Sequence, residues 1–400
     1  MTFLRPAIFW CHLVAGVLAG LVILIMSATG VLLTYERQMT WWADTRHFAI
    51  APDGHRQPPS ALLAAVAAAR PDLTPTAITV RAAAGAPATV TAGRTTLFVD
   101  PYTGQVLGEG SGQRMRAFFR TMTDWHRWLG AQAASRPFGR SITGASNLLF
   151  LFVVVSGLYL WVPRVWTRAQ FRQVLWFRRG LSPKARDFNW HHVIGFWSWV
   201  PLFIVVITAV PISYPWASAL VYRLAGDQPP AATTGRAAPA GPVATTPSLG
   251  GVDALWARAE IQAPGWRSLS MRVPTSESDA VAFTIDHGDG GQPQRRATLT
   301  LARETGDVVS WEPFAALSPG RRLRALVRFT HTGETLGIAG QTVAGLVSLG
   351  SVVLVYTGIA LSLRRFLAWR AARVLRARQP LPAAGRKQAA DQPAAVTTAR

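Results

Sequence analysis

Cysteine is nearly missing: Cys11 is the one thiol in 400 residues. That excludes a disulfide framework and any thiolate metal cluster built within one chain, and the lack of a C-x-x-C-H motif excludes covalent c-type haem attachment. Acidic residues are scarce as well, 20 against 41 Lys and Arg, so the net charge is +21. Charge of either sign is missing from three long stretches, Pro6–Tyr35, Ser141–Pro163 and Gly337–Leu363. Each exceeds the roughly 20 helical residues that cross a bilayer core. A fourth stretch, Trp190–Tyr222, carries two histidines as its main polar feature. With half of all residues hydrophobic, the chain is expected to be a mainly α membrane protein with a bundle of four transmembrane helices.

What charge there is sits between the apolar runs. Seven Lys and Arg fill the short segment after the second run, and more follow the fourth. That is the signature of cytoplasmic loops, so a basic balance that would suggest nucleic acid in a soluble chain here indicates anionic lipid. Both termini are therefore expected in the cytoplasm, with the long intervening segments outside. The N-terminal apolar run is too long for a signal peptide and has no small-residue cleavage site, so it is expected to stay as an anchor.

The same order of features occurs twice. His12-Leu-Val-Ala-Gly16 matches His191-His-Val-Ile-Gly195 at an offset of 179, which also carries Thr29 onto Thr208 and Tyr35 onto Tyr214. Arg94–Val106 resembles Arg296–Val308, and Ser156-Gly157 matches Thr357-Gly358. This self-similarity predicts a tandem duplication whose halves are related by a pseudo-two-fold along the membrane normal. The expected division is a first membrane helix at 6–35, an outer domain at 36–125, and a His-bearing segment with the second membrane helix at 126–163. A basic loop at 164–189 leads to the third helix at 190–216, followed by a flexible linker at 226–250 and a second outer domain at 251–320. A His-bearing segment with the fourth helix occupies 328–363, and a basic tail 364–400. Each outer domain reads as α+β, one helix with four short strands: a helix near 60–70 with strands at 77–80, 88–91, 95–99 and 105–107, then a helix at 252–261 with strands near 268–273, 280–285, 297–302 and 308–311.

Four of the eight histidines recur in equivalent places: His12 and His191 at the cytoplasmic ends of the first and third spans, His126 and His331 at the outer edges of the second and fourth. An ionisable side chain within a span is a functional candidate, because hydrocarbon offers it no solvent. Two imidazoles from facing helices can take both axial positions of one haem iron, so the pairs His12/His191 and His126/His331 predict two haem b groups. Gly16 and Gly195 lie one turn beyond their histidines, where a missing Cβ lets a flat macrocycle approach; small-residue helix packing is the alternative. Register selects His191 over His192. Arg127 and Arg328 beside the outer pair are candidates for propionate or anionic-chelate contact, with headgroup contact as the other reading. His47, His55 and His287 are expected to be solvent-exposed. Gly108-Glu-Gly110-Ser-Gly112 superficially looks like a nucleotide loop but lacks a βαβ setting.

Together these motifs resemble the PepSY-associated transmembrane helix family, over about residues 5–366. The resemblance rests on His12-x-x-x-Gly16, Trp125-His126-Arg127, Asn189-Trp-His191 and Thr330-His331-Thr-Gly333-Glu334; where the family often has Arg after the third histidine, this chain has His192. It implies a bacterial inner-membrane location, two PepSY-like extracytoplasmic domains and membrane ferric-siderophore reductase activity. Two b-type haems would pass electrons outward from an unidentified cytoplasmic donor or quinol to a ferric siderophore or similar Fe(III) chelate. Two readings compete: a non-redox PepSY protein that binds or regulates an extracytoplasmic peptidase, and a transporter.

Overall fold

A computed structural model describes residues 3–163, 167–230, 250–274 and 280–378. Most of the linker expected at 226–250 and the end of the tail lie outside these residues. The helices are α1 (Leu4–Leu33), α2 (Glu36–Thr45), α3 (Pro59–Ala69), α4 (Gln113–Trp128), α5 (Arg136–Trp161), α6 (Arg168–Leu175), α7 (Pro183–Ser213), α8 (Pro215–Leu224), α9 (Val252–Gln262), α10 (Pro319–His331) and α11 (Gly337–Arg378). The strands are β1 (Ala77–Arg81), β2 (Ala88–Ala92), β3 (Thr95–Val99), β4 (Val106–Glu109), β5 (Ser268–Arg272), β6 (Val281–Asp286), β7 (Arg296–Leu301) and β8 (Val308–Pro313).

Four helical segments, carrying α1, α5, α7 and α11, are long and apolar enough to cross a membrane, and the protein is a multi-pass membrane protein. Their composition is inverted relative to a soluble bundle. Leu18, Leu21, Val200 and Leu346 face outward and are more than half exposed, while Ala15, Ala19, Gly20 and Ser27 of α1 are buried between helices. Lipid is as apolar as leucine, so close packing and hydrogen bonds between helices hold such a bundle rather than apolar burial. Ser27 meets Ser351 at 2.9 Å, Asn147 donates to the Val206 carbonyl at 3.2 Å, and Trp199 donates to the Val154 carbonyl at 3.0 Å. The helices pack in the ring order α1, α5, α7, α11, so α1 and α7 face each other diagonally.

Helix ends differ from the sequence expectation in ways that capping explains. The third span starts at Pro183 rather than 190, because Pro is pre-set for a helix N-terminus after the extended Ser182. The basic loop is not irregular throughout: α6 occupies part of it, with Thr167 capping the Gln170 amide at 3.2 Å. The tail begins as a continuation of α11 to Arg378. At the N-terminus of α7, the fully buried Asp187 carboxylate accepts from Arg186 at 3.0 Å and from Arg364 of α11 at 2.6 Å. Arg5 donates to the Leu160 and Val162 carbonyls and so satisfies the C-terminal end of α5.

At the other end of the bundle the strands form one antiparallel sheet in the order β4-β3-β2-β1-β5-β6-β7-β8. The two outer domains expected to be separate are thus one layer, joined where β1 pairs with β5 from Ala77↔Arg272 to Arg81↔Ser268. Alternation explains the join: Ile78, Leu269 and Met271 point into one apolar core with Leu62, Val66, Leu255 and Trp256 of α3 and α9. Thr79 and Ser270 project from the opposite face and hydrogen-bond at 2.7 Å.

Candidate functional site

Each recurring histidine is held through the same ring atom. His12 Nδ1 lies 2.9 Å from Ser156 Oγ of α5, and His191 Nδ1 lies 2.9 Å from Thr357 Oγ1 of α11. The two hydroxyls already donate to carbonyls of their own helices, Ser156 to Phe152 at 2.7 Å and Thr357 to Val353 at 2.8 Å. A hydroxyl has one proton, so in both pairs the imidazole Nδ1–H must donate. That fixes the tautomer and leaves the Nε2 lone pair to act as a ligand, the second-sphere arrangement that metal-binding histidines use.

His126 and His331 close the α4 and α10 helices that lie at the sheet end. His126 Nδ1 donates to the Met26 carbonyl of α1 at 2.9 Å, with Thr29 Oγ1 at 3.1 Å. His331 Nδ1 donates to the Val205 carbonyl of α7 at 2.8 Å. Met26 and Val205 stand in the same relation as His12 and His191, fourteen residues further along their helices. At about 1.5 Å per residue the two levels are about 21 Å apart along the bundle. The His126 and His331 ring centroids are 6.4 Å apart. Two imidazoles on one metal at about 2 Å each put their centroids on the order of 6 Å apart, so this pair has a spacing compatible with one shared metal.

The glycines divide into two roles. A Cβ on Gly157 would come within 3.3 Å of His12 Cε1, and one on Gly358 within 3.4 Å of His191 Cε1. Each follows the hydroxyl residue that anchors that histidine, so the pairs Ser156-Gly157 and Thr357-Gly358 orient and make room for the ring at once. At Gly16 a Cβ would have no atom within 4 Å, and at Gly195 it would meet Leu354 at 3.7 Å. Neither glycine is needed for a close contact between helices: the space at Gly16 is open, while at Gly195 the Leu354 side chain of α11 stands at ordinary contact distance.

The flanking arginines are exposed. Arg127 lies over the Trp128 ring at 4.7 Å and Arg328 over the Phe329 ring at 5.6 Å, so each is parked on an aromatic neighbour. His192 lies with its ring centroid 6.3 Å from that of His191, but its Nδ1 donates to the Phe188 carbonyl at 2.9 Å and its ring lies tilted against Phe188 at 4.0 Å. His47 accepts from Arg46 Nε at 3.0 Å at the surface. No group of three His, Cys, Asp or Glu fit to hold a bare metal ion occurs among the described residues. Gly110 and Gly112 press against the buried Asp44, whose carboxylate takes the Gly112 amide at 3.0 Å and pairs with Arg116. That segment is therefore a packing element.

The sequence repeat singles out the four histidines but not the groups that hold them. Ser156, Thr357 and Thr29 are recognisable only because they repeat at matching places; the Met26 and Val205 carbonyls carry no side-chain signal. A family model described as the PepSY-associated TM region matches residues 9–365, which includes all four histidines and the whole sheet. The comparison with curated proteins returns no match.

Proposed function

The chain belongs to the PepSY-associated transmembrane family, and from that premise we propose that it is a di-haem b electron-transfer protein and a membrane ferric reductase. It carries electrons from a cytoplasmic donor or quinol to an extracytoplasmic Fe(III) chelate of the siderophore kind. His12 and His191 hold one haem near the cytoplasmic face and His126 and His331 the other near the outer face, in the two halves of a tandem duplication with PepSY-like outer domains. The observation that carries this reading is the fixed tautomer: four histidines at two levels each bind a carbonyl or hydroxyl through Nδ1, which leaves Nε2 available as a ligand.

Bound haem supplies reversible one-electron chemistry at iron. The chain's own contribution is to fix the ligands and keep ions out. Ser156 and Thr357 hold the imidazoles and raise their basicity by accepting Nδ1–H. The apolar walls of the bundle lower the dielectric around the ligands. The mid-bundle Ser and Asn side chains are used up in contacts between helices, which disfavours the transporter reading. A structural role for the histidines, as in the peptidase-binding alternative, does not ask for four rings with the same nitrogen left free.

The test is haem stoichiometry in single-histidine variants. His12→Ala or His191→Ala is expected to remove one haem and leave the other, and His126→Ala or His331→Ala the converse. Unchanged haem content in all four variants would end the assignment.

A further inference from the structure

Between the polar face of the sheet and helices α2 and α4 lies an open cavity of about 1100 Å³. It is at the large end of the range for small-molecule sites. Its roof includes the hydroxyls of Thr79, Ser268, Ser270 and Thr284 from β1, β5 and β6, so it spans the join between the two outer halves. Its floor includes Thr123, one helical turn before His126, and Gln38. The cavity thus adjoins the helix that supplies a proposed ligand of the outer haem.

Five arginines and four acidic residues line it, but most are already matched. Arg116 pairs with Asp44, Arg296 Nε with Asp286 at 2.9 Å, and Arg37 with Glu334 at 2.8 Å. Among the described residues no carboxylate pairs with Arg81 or Arg120. The Arg81 guanidinium lies over the Trp41 ring at 4.0 Å, which fixes its plane, and its Nε is buried without a partner. Burial pushes Arg81 below the ordinary arginine value, the Arg37 charge adds to that push, and Asp286 partly opposes it. On the floor, Gln38 Nε2 donates to Gln341 at 2.7 Å, which leaves the buried Gln38 carbonyl oxygen unpartnered. A buried polar group left unpaired costs about 1–3 kcal/mol, so two in one wall need a reason.

We propose that this cavity binds a hydroxycarboxylate anion and its ferric complex, with Arg81 and Arg120 taking carboxylates and the Gln38 carbonyl taking a hydroxyl proton. A fixed guanidinium matches a carboxylate with two parallel N–H donors. An unpaired acceptor beside it asks for a donor that a plain carboxylate lacks. Glu36 and Asp289 also line the cavity, so the preference for an anionic chelate comes from the placement of Arg81 and Arg120 and not from a net positive charge. This rests on the reductase reading and narrows its acceptor to anionic, carboxylate-bearing iron complexes.

The experiment is calorimetric titration of the purified, haem-loaded protein in detergent with iron-free citrate, then with ferric citrate and with a cationic ferric trihydroxamate. Both citrate forms are expected to bind, more weakly as salt rises. Arg81→Gln is expected to weaken them at least about tenfold, the loss of one charge-assisted hydrogen bond. The exposed Arg120→Gln covers the case in which the first variant does not fold, and is expected to weaken them in the same sense. Citrate affinity unchanged in Arg120→Gln, no citrate binding to the wild type, or equal binding of the cationic complex would each overturn the proposal. Iron-free citrate binds without electron transfer, so a protein that binds it but holds no haem would retain this site and lose the reductase reading.

Discussion

Replacing Ser156 with Ala removes the acceptor of the His12 Nδ1–H and nothing else of size, since Ser156 otherwise bonds only within its own helix. Thr357→Val does the same for His191 while conserving volume. The hydrogen bond itself is worth about 0.5–1.5 kcal/mol net. Its effect on a bound metal is larger, because the donated proton makes the imidazole a stronger base; loss of such a partner commonly costs about 10–100-fold in metal affinity. A weaker base stabilises the ferric state less than before, so the potential of that haem should rise, by about 60 mV for each tenfold preference lost. Potentiometric titration of both couples is the assay. Each single variant should raise one couple, the double variant should raise the same couple further, and the second couple should stay in place. Equal shifts in both couples, or none, would refute the claim that these hydroxyls set one haem alone.

Other consequences concern the fold. Asp187→Asn leaves Arg186 and Arg364 without the buried carboxylate between them; both arginines keep partial solvent, so the loss should be about 1–3 kcal/mol, read as a lower unfolding temperature in detergent. Ile78→Ala opens a cavity where β1 meets β5 and should cost about 2–5 kcal/mol, with protease susceptibility rising in both outer halves together. Burial holds the Glu36 carboxyl above the ordinary glutamate value, and repulsion from Glu334 adds to it. A raised carboxyl favours the fold while protonated, and that contribution fades as pH climbs through the folded value. Glu36→Gln should therefore raise the unfolding temperature at neutral pH, with the gain vanishing towards about pH 4.

Much of this was legible because membranes impose strong local rules. Charge-free runs gave four spans, and β3 falls on Thr95–Val99, the expected residues, since alternation and the flanking turns set its ends. The histidine pairs were proposed from repeated order, His12 and His191 at an offset of 179 and His126 and His331 at a looser 205. The β1–β5 join was not legible: it pairs strands almost 200 residues apart, and no local pattern records which exposed edge a strand will find. The backbone carbonyls that hold His126 and His331 were hidden for a different reason, as any residue supplies a carbonyl. Arg81 looked like one arginine among many, and only its place over Trp41, with no acid in ion-pair contact, distinguishes it.

The absorption spectrum of the purified protein, before and after dithionite, tests the central claim most directly. The account predicts a b-type Soret shift with an α-band on reduction, at an intensity of two haems per chain. A spectrum of protein absorbance alone, from folded protein grown with ample haem, would contradict it.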